Sequence, residues 1–361
     1  MKLLDKYLLK KYFSAFIFTV MLLIPIAVAI DVSEKMSKFL AYEDLSTYTI
    51  IKEWYVGFII FYTNMFMPLA LFISIVLFVS KMAKQTEIIA ITSGGISFTR
   101  FLRPFIIGAI IIFCVAFYAN HFIVPEANRV KEAFFRKYLT KDRKYRKTYV
   151  QNINMQLNDN GDYIYIKDFN TKNKSGTYFS FEHYENLKLK YKITARKITF
   201  KDSLYQLKTV RKRWVLKDKD IIKKEKSMDT IFDFKPSDLV YVDYLAMEMN
   251  SIDLYKHIKK SEKRGIKNLN SYRVELHKRT SLPFSAFILT IIAVALTHKK
   301  KRGGTGINLA FGVSLLFIYV FFMKVTEVLG ASATSNAFFL VWTPNILYSI
   351  IAIYLYYHAR K

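Results

Sequence analysis

The stretch Tyr55–Ser80, YVGFIIFYTNMFMPLALFISIVLFVS, runs 26 residues without a charge. A helix of about 20 apolar residues crosses the ~30 Å hydrocarbon core of a bilayer. The run therefore reads as a membrane span with length to spare for tilt. Outward from it lie Tyr12–Ile30 (19 charge-free residues) and Pro104–Val124 (21). Beyond a long charged region come Thr280–Thr297 (18), Gly303–Met323 (21) and Val328–Tyr357 (30). One such run could be a buried core helix; six in one chain predict a polytopic membrane protein. The first run has the basic start of a signal peptide, and Ala27-Val28-Ala29 mimics a cleavage site. It is long for that role and Pro25 would kink it, so it is read as a retained span.

Composition sharpens this. The chain carries a net charge of +27, yet 52% of it is hydrophobic. That much apolar residue excludes a disordered basic tail, and blocked spans exclude a soluble nucleic-acid binder. A single cysteine, Cys114, excludes a disulfide framework or a Cys-rich metal site. The short loops set orientation. The N-terminal tail holds four Lys against Asp5, residues 81–103 hold Lys81, Lys84, Arg100 and Arg103 against Glu87, and residues 298–302 hold three Lys and an Arg. Both termini are expected to be cytoplasmic, with the segment between spans three and four outside.

That segment, residues 125–279, contains 37 of the 55 Lys and Arg and 20 of the 28 Asp and Glu. Loops this long translocate regardless of charge. Its first part, to about residue 145, has helical spacing, with Ala127, Val130, Phe134 and Tyr138 on one face. Turn signals at Asn158–Gly161 and Asn173–Gly176 then separate short strand-like runs, Asp162–Lys167 and Thr177–Phe181. Leu187, Leu189, Tyr191 and Ile193 alternate with Lys188, Lys190 and Lys192, and Arg213–Leu216 reads as another strand. The expectation is an all-β meander, sandwich or jelly roll. After Pro236 a helix over Ser251–Arg264 leads to span four. The basic faces suit either plain solvation or an anionic partner, such as a lipid head group.

No catalytic pattern emerges: no phosphate loop, no nucleophile elbow and no His pair at metal spacing. Gly303-Gly304-Thr305-Gly306 lacks the strand and downstream Gly of a dinucleotide fingerprint and reads as the start of span five. No cofactor is expected. The spans lack a central carboxylate or Lys, which argues against an ion-coupled carrier. The segment Lys81–Arg103, KMAKQTEIIAITSGGISFTRFLR, stands out. It has apolar Met82, Ile88, Ile89 and Ile91 around Lys84, Gln85 and Glu87, and Ser93-Gly94-Gly95 as a helix stop. A short helix below the membrane is what a permease needs to dock on an ATPase, with Glu87 as the natural mate of a basic residue.

Several short segments together resemble the LptF/LptG family of lipopolysaccharide transport permeases along essentially the whole chain. They are Leu4-Asp5-Lys6-Tyr7, Thr86-Glu87-Ile88 through Ser97, Pro125 with its helix, Trp214-Val215-Leu216, Pro236–Leu239, Glu275–Arg279 with Leu282-Pro283, and Val341–Asn345. The opening motif leans toward the LptG type. The resemblance implies a bacterial inner-membrane protein with six transmembrane helices (three plus three) and an inserted periplasmic all-β, jellyroll-like domain. Expected boundaries are 1–124 for spans one to three with a coupling helix near 81–95, 125–279 for the periplasmic domain with flanking helices, and 280–361 for spans four to six. It also implies a permease subunit without its own ATPase site, which extracts lipopolysaccharide from the outer leaflet. The implied partners are an LptB-like ATPase dimer, a paralogous permease forming a heterodimer, and an LptC-like periplasmic protein. Spans one and five would be lateral gates. The coupling-helix set is Glu87, Lys84, Ile88 and Ile91. Lys38, with Lys35 nearby, matches a basic lipid head-group position, while a second such position holds Asp31. A carrier without an ATPase and a membrane-anchored binding scaffold are the rival readings.

Overall fold

The computed structural model describes residues 3–140, 149–157, 161–186, 188–216, 219–239, 244–263, 269–298, 304–332 and 336–360. Leu187, Asn158–Asn160, Arg264 and Gly303 lie outside them. The chain divides into two compact units, residues 1–139 with 246–252 and 270–361, and residues 140–245 with 253–269.

The first unit is a helical bundle. Its long helices are α1 (Leu3–Phe39), α2 (Thr47–Lys84), α4 (Phe98–Leu139), α7 (Asn270–Thr297), α8 (Gly304–Gly330) and α9 (Ala337–Arg360). All six are long and apolar enough to cross a membrane. The short α3 (Glu87–Ser93) lies between α2 and α4. Four of the helices extend well past their charge-free runs: α1 to Phe39, α2 back to Thr47, α4 to Leu139, and α7 back to Asn270. Pro25, Pro68, Pro104, Pro283 and Pro344 sit inside helices without ending them. Pro125 follows a π-helical turn at Ala119–Ile123, whose end is marked by the Val124 N–H donating to the Ala119 carbonyl.

In lipid the hydrophobic effect does not draw helices together; packing and polar bonds do. Both are present. Leu71, Phe72, Ile75 and Val76 of α2 share a core with Leu289, Ile292 and Ala293 of α7. Asn64 and Asn120 exchange amide hydrogen bonds between α2 and α4, at 2.9 and 2.6 Å. Tyr319 donates to Asn345 Oδ1 at 2.6 Å, and Asn345 donates to the Ser281 carbonyl at 2.8 Å, tying α8, α9 and α7. Gly57 of α2 lies against α4: a Cβ there would stand 2.8 Å from the Ala127 carbonyl oxygen.

The second unit is built on one six-stranded antiparallel sheet. Its strands are β1 (Tyr149–Gln156), β2 (Asp162–Asn170), β3 (Ser175–Glu185), β4 (Lys188–Lys201), β5 (Leu204–Val215) and β6 (Asp220–Thr230). Each strand pairs with its neighbour in sequence. Of the three all-β topologies expected, the meander is the one observed, and the described strands make no jelly-roll crossover. Two helices follow the sheet, α5 (Tyr244–Glu248) and α6 (Ser251–Lys263). The inner face gathers Ile164, Ile166, Phe169, Phe179, Ile193, Ile198, Leu207 and Val210, with Phe232 and Phe234 closing over it. Tyr205 donates to the Phe234 carbonyl at 2.8 Å.

The sheet is creased. Ladder pairs run on either side of Asn152, Lys167, Tyr178, Arg196, Thr209 and Lys226 but skip those six residues, one per strand. Asn152, Tyr178 and Thr209 have positive φ, at 53°, 51° and 56°. The inward set accordingly jumps three residues instead of two, from Ile166 to Phe169, Gly176 to Phe179, Ala195 to Ile198 and Leu207 to Val210. Strict alternation is broken on one line, and two consecutive residues per strand face outward there.

Candidate coupling and head-group sites

At the end of the bundle that carries the chain termini, α2 stops at Lys84 and the chain turns through Gln85 and Thr86. Thr86 sits in the left-handed region at φ 61°. Such a φ is uncommon outside Gly, and here it reverses the chain into α3. Gly94 and Gly95 end α3, Gly95 at φ 80°. Glu87 opens the helix and does not stand free. The Tyr7 hydroxyl donates to its Oε2 at 2.9 Å and Lys11 Nζ lies 3.8 Å from its Oε1. Beside it, Arg100 of α4 clasps Asp5 with two bonds, 2.6 and 3.0 Å. The foot of α1 is thus bound to α3 and α4 through Glu87 and Asp5. The sequence suggested a basic mate for Glu87 but did not disclose that, within the chain, the Tyr7 hydroxyl and the Lys11 ammonium already contact it.

The rest of the expected coupling set divides. Lys84 is exposed. Ile88 is only 3% exposed, within the bundle core, and Ile91 packs against the same core. Ile88 anchors α3 in the bundle, Ile91 is half-buried beside it, and Ile89, 49% exposed, lies on the outer face.

At the opposite end, where the chain leaves for the β unit, Asp31 is 6% exposed. It accepts from Trp54 Nε1 at 2.8 Å and from Lys35 one turn on. Lys35 Nζ also sits 4.8 Å from the Trp54 ring centroid. Lys35 is therefore held by its own chain, whereas Lys38 is exposed. Asp31, which breaks the expected basic pattern, is the acceptor that keeps Lys35 and Trp54 in place.

The same end holds an ion-pair cluster that the spacing did not disclose. Lys278 of α7 lies 3.0 Å from Glu275 and 2.9 Å from Glu327 of α8. Arg279, 2% exposed, reaches Glu275 at 3.2 Å, Ser251 Oγ at 3.1 Å and the Ala246 carbonyl at 2.8 Å. A buried guanidinium is tolerable only when its donors are so occupied. No group of metal-binding residues appears among the described residues.

Six apolar helices, a short helix between the second and third, and an all-β insert between the third and fourth define a helical membrane protein with an inserted β domain. The sequence model described as lipopolysaccharide export system permease LptF/LptG matches residues 6–358, and the chain belongs to that family. It is a multi-pass inner-membrane protein of lipopolysaccharide transport. A comparison with curated proteins gives no match.

Proposed function

We propose that this chain is one of two paired permeases that lift lipopolysaccharide from the outer leaflet of the inner membrane and pass it to a periplasmic bridge, driven by a separate ATPase dimer. The paired permease is a paralogue, and an LptC-like protein receives the lipid. Both termini lie in the cytoplasm and residues 125–279 in the periplasm. The observation that carries the reading is the uncovered state of α1 and α8. Ile17, Phe18, Met21, Leu22, Ile26 and Ile30 of α1 are exposed, as are Phe311, Phe317, Ile318 and Phe321 of α8. Those two helices have apolar faces left for a second permease and for acyl chains, as gates require.

Power enters through α3. The ATPase pushes on Lys84 and the outer face of α3, and Glu87 passes that push to Tyr7 and Lys11 at the foot of α1. Lys38 meets the lipid phosphates at the other end, with Lys35 drawn in when it leaves Asp31. The test is purification in mild detergent followed by lipid-stimulated ATP hydrolysis. An ATPase should copurify, and Glu87→Arg should uncouple hydrolysis from export while leaving the complex assembled. Normal export by Glu87→Arg would remove the coupling role. Copurification of no ATPase would favour an independent carrier. Unchanged lipid crosslinking after Lys35 and Lys38 are both neutralised would remove their contact role.

A further inference from the structure

The crease in the β unit has a chemistry of its own. Along it, left-handed residues on the odd strands (Asn152, Tyr178, Thr209) alternate with cations on the even ones (Lys167, Arg196, Lys226). Strands lie ~4.8 Å apart, so these cations recur about every 10 Å along a line roughly 19 Å long. Because two neighbouring residues turn outward at the crease, Lys197 and Lys208 join the line, and the ladder sets them directly opposite each other. One step further along the strands, Arg211 stands opposite Lys224. Like charges facing across a ladder are destabilising, and three non-Gly residues at positive φ add strain.

Counter-charge is sparse. Elsewhere on the sheet several cations are matched: Lys192 with Glu182 at 2.6 Å, Lys212 with Glu225 at 3.0 Å, and Arg213 with Asp220. Among the described residues, Arg196, Lys197, Lys208, Arg211, Lys224 and Lys226 form no ion pair, and Lys167 reaches only the Tyr178 ring, at 5.1 Å. Tyr178 is 60% exposed and presents an apolar face beside that line. The acid on the crease, Asp168, is bonded to Thr177 at 3.4 Å.

We infer that this crease is a binding site for the phosphorylated saccharide part of the transported glycolipid, distinct from any acyl-chain path. The line is narrow and long, which suits an extended polyanion better than a flat bilayer. Arg and Lys at ~10 Å intervals bind spaced phosphates, and an exposed Tyr ring stacks on a sugar. A bound polyanion also relieves the Lys197–Lys208 and Arg211–Lys224 repulsions. The inference rests on the proposed cargo, and its test separates the two.

A photocrosslinking residue is placed at Thr177 on the crease and, separately, at Ile26 on the exposed face of α1, in the intact complex in membranes. The expected result is a glycolipid adduct at both. Arg196→Gln with Lys197→Gln and Lys208→Gln should cut the Thr177 adduct about tenfold, the effect of losing one or more charge-assisted contacts, and leave the Ile26 adduct. Arg196→Lys alone should retain it. Glycolipid stripped of its phosphates should crosslink poorly at Thr177, and inorganic phosphate alone should not compete at millimolar concentration. An adduct at Ile26 with none at Thr177 overturns the crease site and leaves the transport reading standing; none at either overturns both. A protein adduct at Thr177, or equal crosslinking of dephosphorylated lipid, also overturns the site.

Discussion

Asp31 shows how a single residue can carry structure where family likeness suggested ligand contact. Its carboxylate is the acceptor for Trp54 and the counter-charge for Lys35. Asp31→Ala would strand a buried indole N–H and a half-buried ammonium, and breaking a buried charge pair costs about 3–5 kcal/mol. The expected outcome is a clearly lower thermal transition of the complex in detergent, with Asp31→Asn intermediate because its amide oxygen can still accept from Trp54. An unchanged transition for Asp31→Ala would refute this. In the β unit, His183 Nδ1 lies 2.6 Å from Asp162. The hydrogen bond to that carboxylate raises the imidazole pKa above its ordinary value of 6.5. The sign follows. The protonated pair stabilises the fold below the ordinary value, and that contribution fades as pH rises through the elevated one. An NMR titration should find His183 elevated, and Asp162→Asn should return it towards 6.5. The sequence shows both residues, but not that the β2–β3 ladder makes them partners.

At the scale of elements, the charge-free runs made all six spans legible, because no alternative buries so much apolar chain. What they hid was helix length. Polar residues such as Asp31, Lys278 and Arg279 read as loop, yet they lie on helices, each with a partner there. The crease was not legible, nor was the exact place of the α2–α3 break, which falls after Lys84. They depend on positive φ at Thr86, Asn152, Tyr178 and Thr209, of which only Asn152 is a residue type that favours it. Glycines with tight surroundings give two predictions. Gly57→Ala forces a Cβ to 2.8 Å from the Ala127 carbonyl oxygen. Overpacking of that kind costs about 1–3 kcal/mol, visible as a lower thermal transition. Gly161 combines φ 84° with a Cβ position 2.2 Å from the Tyr184 carbonyl oxygen. Gly161→Ala should loosen the β2–β3 hairpin, seen as faster amide exchange at Tyr163 and Tyr184 than at Leu207.

For the whole molecule, the charge pattern assigns sides, and labelling tests them. In a Cys114→Ser background, an impermeant maleimide added to spheroplasts should label Lys190→Cys on the β unit and spare Lys84→Cys beside α3. Labelling reversed between the two would invert the topology. The order of elements has a further consequence, for how the protein is made. α7 begins at Asn270, whereas α4 ends at Leu139, so about 130 residues separate the first three spans from the helix that completes their core. At ~5–20 residues per second, Phe72, Ile75 and Val76 wait on the order of ten seconds for Leu289 and Ile292 to be synthesised. During that interval lipid must stand where α7 will be. The Asp5–Arg100 clasp and the Asn64–Asn120 amide pair lie wholly within the first three spans. The early half can therefore be fastened in two places while the ribosome is still on the message.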